Sequence, residues 1–177
     1  MDRCVVLGDS NFVRLCKLRA FKNGVPIPLI NLSRSGAKVV DGLNLLKSYL
    51  SVSHYESGSQ TIVILLGTND LSHNNLLDRN NFLRITRIAR NCFKQVLICK
   101  IPPSPKLDRQ LISISNQWLY NFKSVENISI VDLFSPFNDA HFHKFYPSGT
   151  PDNIHFNNRG LRLVSSILVS SLSEINV

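Results

Sequence analysis

The chain has 177 residues, of which 44% are hydrophobic and 18% charged, and its formal net charge is +8. This composition excludes a disordered chain, and the length fits a single domain over residues 1–177, complete or excised from a larger protein. We find no apolar run of about 18 residues and no signal-peptide core, so we expect an intracellular location, cytoplasmic or nuclear. The excess of positive charge favours anionic partners.

Residues that commonly form disulfides or bind metals and nucleotides show no suitable spacing. We expect the cysteines to be reduced, because they lack both C-x-x-C spacing and a secreted context. These are Cys4, Cys16, Cys92 and Cys99. His141 and His143 form an H-x-H pair without a third ligand at a suitable spacing. Neither G-x-x-x-x-G-K-[ST] nor G-x-G-x-x-G occurs, so we expect no metal and no cofactor.

Short apolar runs alternate with segments of helical spacing along the whole chain. The runs predict five strands, at 4–7, 28–32, 61–66, 95–101 and 128–132. The run at 61–66 is apolar at consecutive positions, as expected for a strand with helices on both faces. This alternation predicts an α/β fold, a three-layer α/β/α sandwich with a five-stranded parallel sheet.

Helical spacing predicts helices over 11–22, 38–50 and 78–94. A fourth helix follows the prolines at 102–105. Its predicted inward stripe is Leu107, Leu111, Ile114, Trp118 and Phe122. A closing helix follows, for which either Asn157 or Asn158 can be the N-cap. The predicted inward stripe of that helix is Leu161, Val164, Leu168 and Leu172.

Ser10 is the candidate nucleophile of the chain. The apolar run at 4–7 is broken by Gly8 and Asp9, whose turn chemistry delivers Ser10 just beyond the end of the strand. A serine after a strand is also a common helix cap, so this position alone leaves both interpretations open. The downstream motifs favour the nucleophile.

Three further stretches lie where strand ends of a parallel sheet would converge with Ser10. They are Ser33-Arg34-Ser35-Gly36, Gly67-Thr68-Asn69-Asp70 and Asp152-Asn153-Ile154-His155. In a parallel sheet, sites form beyond the carboxyl ends of the strands. Together with Gly8-Asp9-Ser10, their order resembles the SGNH (GDSL-like) hydrolases. The resemblance covers residues 8–155 and implies the SGNH-hydrolase, flavodoxin-like version of the sandwich.

The resemblance implies a role for each motif residue in ester hydrolysis. Ser10, His155 and Asp152 would be the nucleophile, the base and the carboxylate that orients the base. The backbone N–H groups of Ser10 and Gly36, with the side-chain amide of Asn69, would form the oxyanion hole. Taken singly, His155 is more simply interpreted as a loop histidine and Asn69-Asp70 as turn formers, but their joint occurrence with Ser10 favours the catalytic roles. Lys38 departs from the family pattern, because it places a cation near the site.

A narrower resemblance rests on the ending Asp-x-Ile-His-Phe-Asn-x-Arg-Gly at 152–160, the small size and the positive charge. The chain is similar to the esterase domain in the first open reading frame protein of LINE-type retrotransposons. That resemblance implies an esterase within a protein that packages RNA.

We therefore expect a serine esterase that acts on short, acetyl-type esters, with lipid or carbohydrate esters as candidate natural substrates. The alternative is a noncatalytic nucleic-acid or membrane-binding module on a hydrolase scaffold. Its support is the basic face of the helix at 78–94, which would contact RNA or an acidic membrane. That face consists of Arg84, Arg87, Arg90 and Lys94. A solvated outer face is the plainer interpretation of the same residues.

The connection at 133–151 is long and rich in aromatic residues, namely Phe134, Phe137, Phe142, Phe145 and Tyr146. Structureless connections of this length are usually functional or mobile. The rings either fasten the loop to the body or line an acyl pocket and touch a lipid surface. We slightly favour the second interpretation.

Overall fold

The structure is a computed structural model that describes residues 3–25, 28–52, 60–72, 75–138, 141–147 and 154–175. Its centre is one parallel sheet with the strand order β2-β1-β3-β4-β5. The strands are β1 Arg3–Gly8, β2 Leu29–Asn31, β3 Gln60–Leu65, β4 Gln95–Cys99 and β5 Ile128–Val131. The five predicted strands and their parallel arrangement are confirmed.

Helices cover both faces of the sheet. They are α1 Ser10–Leu15, α2 Arg19–Gly24, α3 Val39–Val52, α4 Thr68–Leu71, α5 Arg79–Cys92, α6 Arg109–Tyr120 and α7 Asn158–Ile175. The apolar side chains of α1, α2 and α7 form one core cluster on one face, and those of α3, α5 and α6 form a second cluster on the other. The two cores account for the consecutive burial along β1, where Cys4 to Leu7 are all inaccessible to solvent.

The register of the sheet aligns the two strands that carry the main motifs. Gly8, at the end of β1, pairs with Leu65, at the end of β3. The turns that follow these strands, at Asp9 and at Gly67, are therefore neighbours on the carboxyl edge of the sheet. The predicted convergence of Ser10 with Asn69 depends on this alignment.

The single helix predicted over 11–22 is wrong, because the chain forms α1 and α2 instead. After α1 the N–H groups of Lys17 and Leu18 bond to carbonyls three residues earlier, which tightens the last turn. Leu18 then adopts an extended backbone, with φ −72° and ψ 120°. The change of direction buries Phe21 in the same core as Leu15.

The inward stripe predicted for α6 is wrong at Ile114, whereas its other four residues pack against the second core cluster. Ile114 is 38% exposed, whereas Ile112 and Leu119 are inaccessible and Asn116 is buried. The Asn116 side chain accepts a hydrogen bond from the Ile101 N–H at 2.7 Å and donates one to the Ile101 carbonyl at 2.8 Å. Both hydrogen bonds go to the backbone of Ile101, beyond the end of β4, which would otherwise be buried without partners. Asn116 must therefore face inward, and this sets the rotation of α6 about its axis. A stripe drawn from apolar residues alone misses it.

The aromatic connection is not structureless, since it contains 3₁₀ turns at Ser135–Phe137 and Phe142–Phe145. Four of its rings are buried in the core beside α7: Phe137, Phe142, Phe145 and Tyr146. The rings therefore fasten the connection to the body, and the favoured acyl-pocket or lipid-surface interpretation is wrong for these four. The inward stripe of α7 is confirmed, and Asn157 is its cap, because Asn157 Oδ1 accepts hydrogen bonds from the N–H groups of Arg159 and Gly160.

Candidate active site

The turn that presents Ser10 requires glycine at position 8. A Cβ on Gly8 would lie 2.8 Å from the Phe12 ring and 2.9 Å from the Leu65 carbonyl oxygen. Asp9 then caps α1, accepting the Asn11 N–H at 2.8 Å. The cap is thus Asp9 and not Ser10, and the Ser10 hydroxyl is available for a different partner.

That partner is His155, from a segment 145 residues further along the chain. The Ser10 Oγ and the His155 Nε2 are 2.6 Å apart. In the tautomer that carries its proton on Nδ1, the imidazole accepts the serine proton at Nε2, as a general base would. The structure therefore brings together the predicted nucleophile and the predicted base. Asp152, the predicted orienting carboxylate, lies outside the described residues.

Asn11 fastens the backbone next to His155 to the helix that carries Ser10. Its Oδ1 accepts the Phe156 N–H at 3.1 Å, and its side chain is buried. Phe156 is inaccessible and packs on Tyr146 and Phe137, with ring centroids 5.2 and 4.8 Å away. The residues adjacent to both predicted catalytic groups are thus joined directly. Sequence analysis missed Asn11, because the partner of its side chain lies 145 residues away along the chain.

Gly36 is part of a turn beside the end of β1. The Ala37 N–H bonds to the Arg34 carbonyl at 3.1 Å, and the Arg34 N–H bonds to the Gly8 carbonyl at 3.1 Å. Gly36 has φ +74°, the value that the third residue of a type II turn requires. A Cβ built there meets nothing within 4 Å, so the side of Gly36 that would carry a side chain faces open space. Glycine is needed here for its backbone conformation and not for packing.

Asn69 joins the two stretches that are predicted to form the oxyanion hole. Its Nδ2 donates a hydrogen bond to the Ala37 carbonyl at 2.9 Å, directly beside Gly36. An amide nitrogen carries two hydrogens, so fixing one of them sets the direction of the other. The donors predicted on two separate loops are therefore held in one arrangement.

The turn before Asn69 is held by packing. Gly67 has φ +116°, and a Cβ there would lie 2.6 Å from Leu77 Cδ1 and 2.7 Å from Ile101 Cδ1. Asp70, one residue beyond Asn69, accepts the Val39 N–H at 3.1 Å and thereby binds the amino end of α3. Burial raises the pKa of Asp70 to about 6. Asp70 is thus a structural link between the two loops.

Asp9 places a second carboxyl group in the neighbourhood of His155. It is inaccessible to solvent, and burial raises its pKa, an effect opposed by the Asn11 N–H, by Thr68 and by the charge of His155. Within the described part of the chain, Asp9 Oδ2 and Thr68 Oγ1 are both buried without a hydrogen bond of standard geometry. Sequence analysis treated Asp9 only as a turn residue. The structure adds it to the polar groups around the predicted catalytic pair.

The other chemical features of the sequence lie away from this site or form no group. Among the described residues no cluster of three histidine, cysteine or acidic side chains could hold a metal ion. Cys4, Cys16 and Cys99 are buried free thiols, and Cys92 is a partly buried one. No helix in the described ranges is long and apolar enough to span a membrane.

Comparisons with known proteins agree with this architecture. The chain resembles three solved structures, which are a lipase/acylhydrolase from Enterococcus faecalis, the acetyl xylan esterase AlAXEase, and the catalytic domain of peptidoglycan O-acetyltransferase A from Streptococcus pneumoniae. The TM-scores are 0.73, 0.69 and 0.74, at 20%, 18% and 15% identity. The alignments cover 97%, 96% and 98% of this chain and 95%, 98% and 93% of those chains. At these identities the likeness concerns the fold.

The family is established by sequence. A search among curated proteins found no match. The model of the GDSL-like Lipase/Acylhydrolase family, in contrast, matches residues 8–163, which include Gly8-Asp9-Ser10, the two glycine turns and His155. The chain therefore belongs to the GDSL-like lipase/acylhydrolase family of hydrolases.

Proposed function

We propose that the protein is a serine esterase that hydrolyses short acyl esters, such as acetyl esters. The observation that carries this proposal is the 2.6 Å separation between Ser10 Oγ and His155 Nε2 at the carboxyl edge of the sheet. Nucleophilic acyl transfer needs this contact between a hydroxyl group and a base. A scaffold that only binds a partner has no need of it.

In the proposed reaction Ser10 Oγ attacks the ester carbonyl carbon while His155 Nε2 takes the hydroxyl proton. The tetrahedral intermediate collapses, the alcohol leaves with the proton from His155, and the acyl group remains on Ser10. Water then attacks the acyl-enzyme with His155 again as base, which releases the acid. Asp152 would accept the Nδ1–H of His155 and stabilise the imidazolium, as in the family.

The negative charge of the tetrahedral intermediate needs donors already in position. Ser10 is the first residue of α1, so its N–H is one of those at a helix start without a partner inside the helix. The Gly36 N–H and the Asn69 amide complete the proposed oxyanion hole. The hydrogen bond from Asn69 to Ala37 supports this assignment, because it fixes the two loops relative to each other.

Support for a short acyl group comes from the names of two structural neighbours. One is called an acetyl xylan esterase and the other a peptidoglycan O-acetyltransferase, and both names refer to acetyl groups. The family name also refers to lipases, so lipid esters remain candidate substrates beside carbohydrate esters. The domain boundaries 1–177 and the retrotransposon context stay predictions.

The test compares hydrolysis of p-nitrophenyl acetate, butyrate and decanoate by the wild type and by Ser10→Ala and His155→Ala. We expect acetate to be the best substrate and both variants to lose nearly all turnover while they stay folded. Ser51→Ala, at an exposed serine on α3, is the matched control and should retain wild-type turnover. Wild-type rates in folded Ser10→Ala would contradict the mechanism.

A second candidate function is anion binding through the basic face of α5 and Lys94, which lies two residues beyond the end of the helix. Arg84, Arg87, Arg90 and Lys94 are all exposed, and none forms an ion pair within the described ranges. Binding of RNA or acidic liposomes that weakens steeply with salt would support this function. Absence of binding at low salt would leave the face as a solvated surface.

A further inference from the structure

A groove lies between α5 and the 3₁₀ turn at Asn121–Ser124. It is near the amino edge of the sheet, whereas Ser10 is at the carboxyl edge. Its volume is about 200 Å³. The lining residues are Leu83, Thr86, Arg87, Arg90, Asn91, Phe122 and Val125. The helix begins after the Asn69 turn and runs back along the sheet, so its last turns lie at the amino edge. The groove is therefore separate from the candidate active site.

The walls of the groove are held in place by contacts below its surface. The Asn127 side chain donates to the carbonyls of Arg90 and Phe93, at 3.4 and 3.3 Å, which ties the end of α5 to the loop after Val125. The Phe122 ring packs edge-on against Trp118, with centroids 5.2 Å apart. The groove is thus formed by ordered elements of the fold.

The chemistry of the lining combines an apolar floor with unpaired positive charge. Leu83 is 47% exposed, and Phe122 and Val125 are partly buried, which provides apolar contact surface. Arg87 and Arg90 lie three residues apart on the same helix face as Leu83 and form no ion pair with any described residue. The acid next to the groove in sequence, Glu126, is exposed and equally unpaired.

We propose that this groove binds a small organic anion with an apolar tail, of the class of a medium-chain carboxylate. Arginine recognises a carboxylate by paired, charge-assisted hydrogen bonds, and the apolar floor takes the tail. A cavity of about 150 Å³ holds a benzene molecule, so by proportion this groove suits a tail of about eight carbon atoms. The proposal concerns a second site and does not depend on the esterase reaction.

Two other occupants fit the groove less well. Single-stranded RNA needs an exposed aromatic face for base stacking, whereas the Phe122 ring is partly buried against Trp118. A membrane surface is bound by apolar side chains that protrude, and here the apolar surface is concave, with Leu83 at its edge. A monomeric amphiphile uses both the concave floor and the arginines.

The single tryptophan of the chain provides the measurement, since Trp118 contacts Phe122 in the wall of the groove. Octanoate, kept below its micelle concentration, is titrated into the full chain, and as a free carboxylate it has no ester bond to hydrolyse. We expect a saturable change of Trp118 emission. Butyrate has the charge without the tail and octyl glucoside the tail without the charge, and each should bind at least about tenfold more weakly.

Variants locate the binding site. Arg87→Gln with Arg90→Gln should weaken octanoate binding by about tenfold or more. Leu83→Glu, which places an acid one helical turn from Arg87 in the same groove, should do the same. Arg162→Gln is the matched control, because Arg162 is an exposed arginine on α7 that does not line the groove. It should leave the affinity unchanged. Circular dichroism confirms that each variant is folded.

Three results would overturn the proposal. An equal response in the double arginine variant would place octanoate elsewhere, and equal binding of octyl glucoside would remove the role of charge. A change of Trp118 emission with phosphatidylglycerol vesicles but not with monomeric octanoate would assign the face to a membrane surface.

Discussion

The two glycine turns beside Ser10 solve the same geometrical problem by different means. Gly36 and Gly67 both have positive φ, and both follow a strand at the carboxyl edge of the sheet. The Gly67 turn is enclosed by Leu77 and Ile101, whereas a Cβ at Gly36 would meet only open space. The Gly36 turn is held by hydrogen bonds and by an ion pair between Arg34 and Asp41 at 2.5 Å, with Arg34 largely exposed.

The enclosed Gly67 turn is suited to be a rigid support, and the open Gly36 turn is accessible to a substrate. A turn fixed by packing can position Asn69 without exposing its own backbone, and an open turn can present a backbone N–H to a substrate. An exposed ion pair adds only about 0–1 kcal/mol, so the Gly36 turn depends chiefly on its neighbours for its position. The predicted oxyanion hole combines both kinds of turn, linked by the Asn69 amide.

Among changes to the two turns, the largest expected effect comes from breaking that link. Asn69→Ala removes a proposed oxyanion donor together with the hydrogen bond to Ala37, so kcat should fall by about 10²- to 10³-fold, or roughly 3 kcal/mol, with little change in KM. Steady-state kinetics on p-nitrophenyl acetate measures this, with Asn80→Ala, an exposed asparagine on α5, as control. A loss confined to KM would make Asn69 a substrate-binding residue instead.

The next largest effect should come from the enclosed turn. Gly67→Ala combines an unfavourable φ with overlap against Leu77 and Ile101, so the free energy of unfolding should fall by about 3 kcal/mol. Urea unfolding of the purified variant measures it. An unchanged unfolding midpoint would mean that the turn relaxes easily and is no more rigid than the Gly36 turn.

His155, the proposed base, is held by contacts outside both glycine turns. Its positioning can therefore be tested separately from the turns. Asn11→Leu removes the acceptor for the Phe156 N–H and should lower kcat about tenfold through looser placement of His155, with KM nearly constant. Kinetics and the melting temperature are measured together. A change in stability alone, with kcat intact, would show that Asn11 supports the fold and not the catalytic pair.

Sequence analysis predicted the sheet and the convergence of motifs because both follow from local patterns. The consecutive apolar residues of β3 and the glycines that follow β2 and β3 are visible in any short stretch of sequence. The contributions of Asn11 and Asn116 were not predictable in the same way, since each depends on a hydrogen bond to a distant backbone group. The same holds for the rings of the aromatic connection, whose burial depends on α7.

A smaller effect is expected at the open turn. Gly36→Ala meets no steric obstacle, so its cost is the unfavourable φ alone, about 1 kcal/mol of unfolding free energy. Urea unfolding of both Gly36→Ala and Gly67→Ala compares the two losses of unfolding free energy directly. Equal costs for the two substitutions would end the distinction between an open and an enclosed turn.

The last expected effect is the pH dependence of the link between the two turns. Asp70 accepts the Val39 N–H just beyond the Gly36 turn, and burial raises its pKa from 3.8 to about 6. Between these values the folded state binds more protons than the unfolded state, so this contribution to stability is complete at low pH and is lost as the pH rises through about 6.

Asp70→Asn keeps an oxygen acceptor for Val39 and cannot ionise, so it should lose this pH dependence. We therefore expect the unfolding free energy of the variant, relative to wild type, to increase as the pH rises from about 4 to 7. Burial also raises the pKa of Asp9, but Asp9 is present in both proteins and its effect cancels in the difference. Urea unfolding at several pH values measures the difference. A constant difference would mean that Asp70 has the same pKa in the folded and unfolded states, and that the link between the turns is independent of its charge.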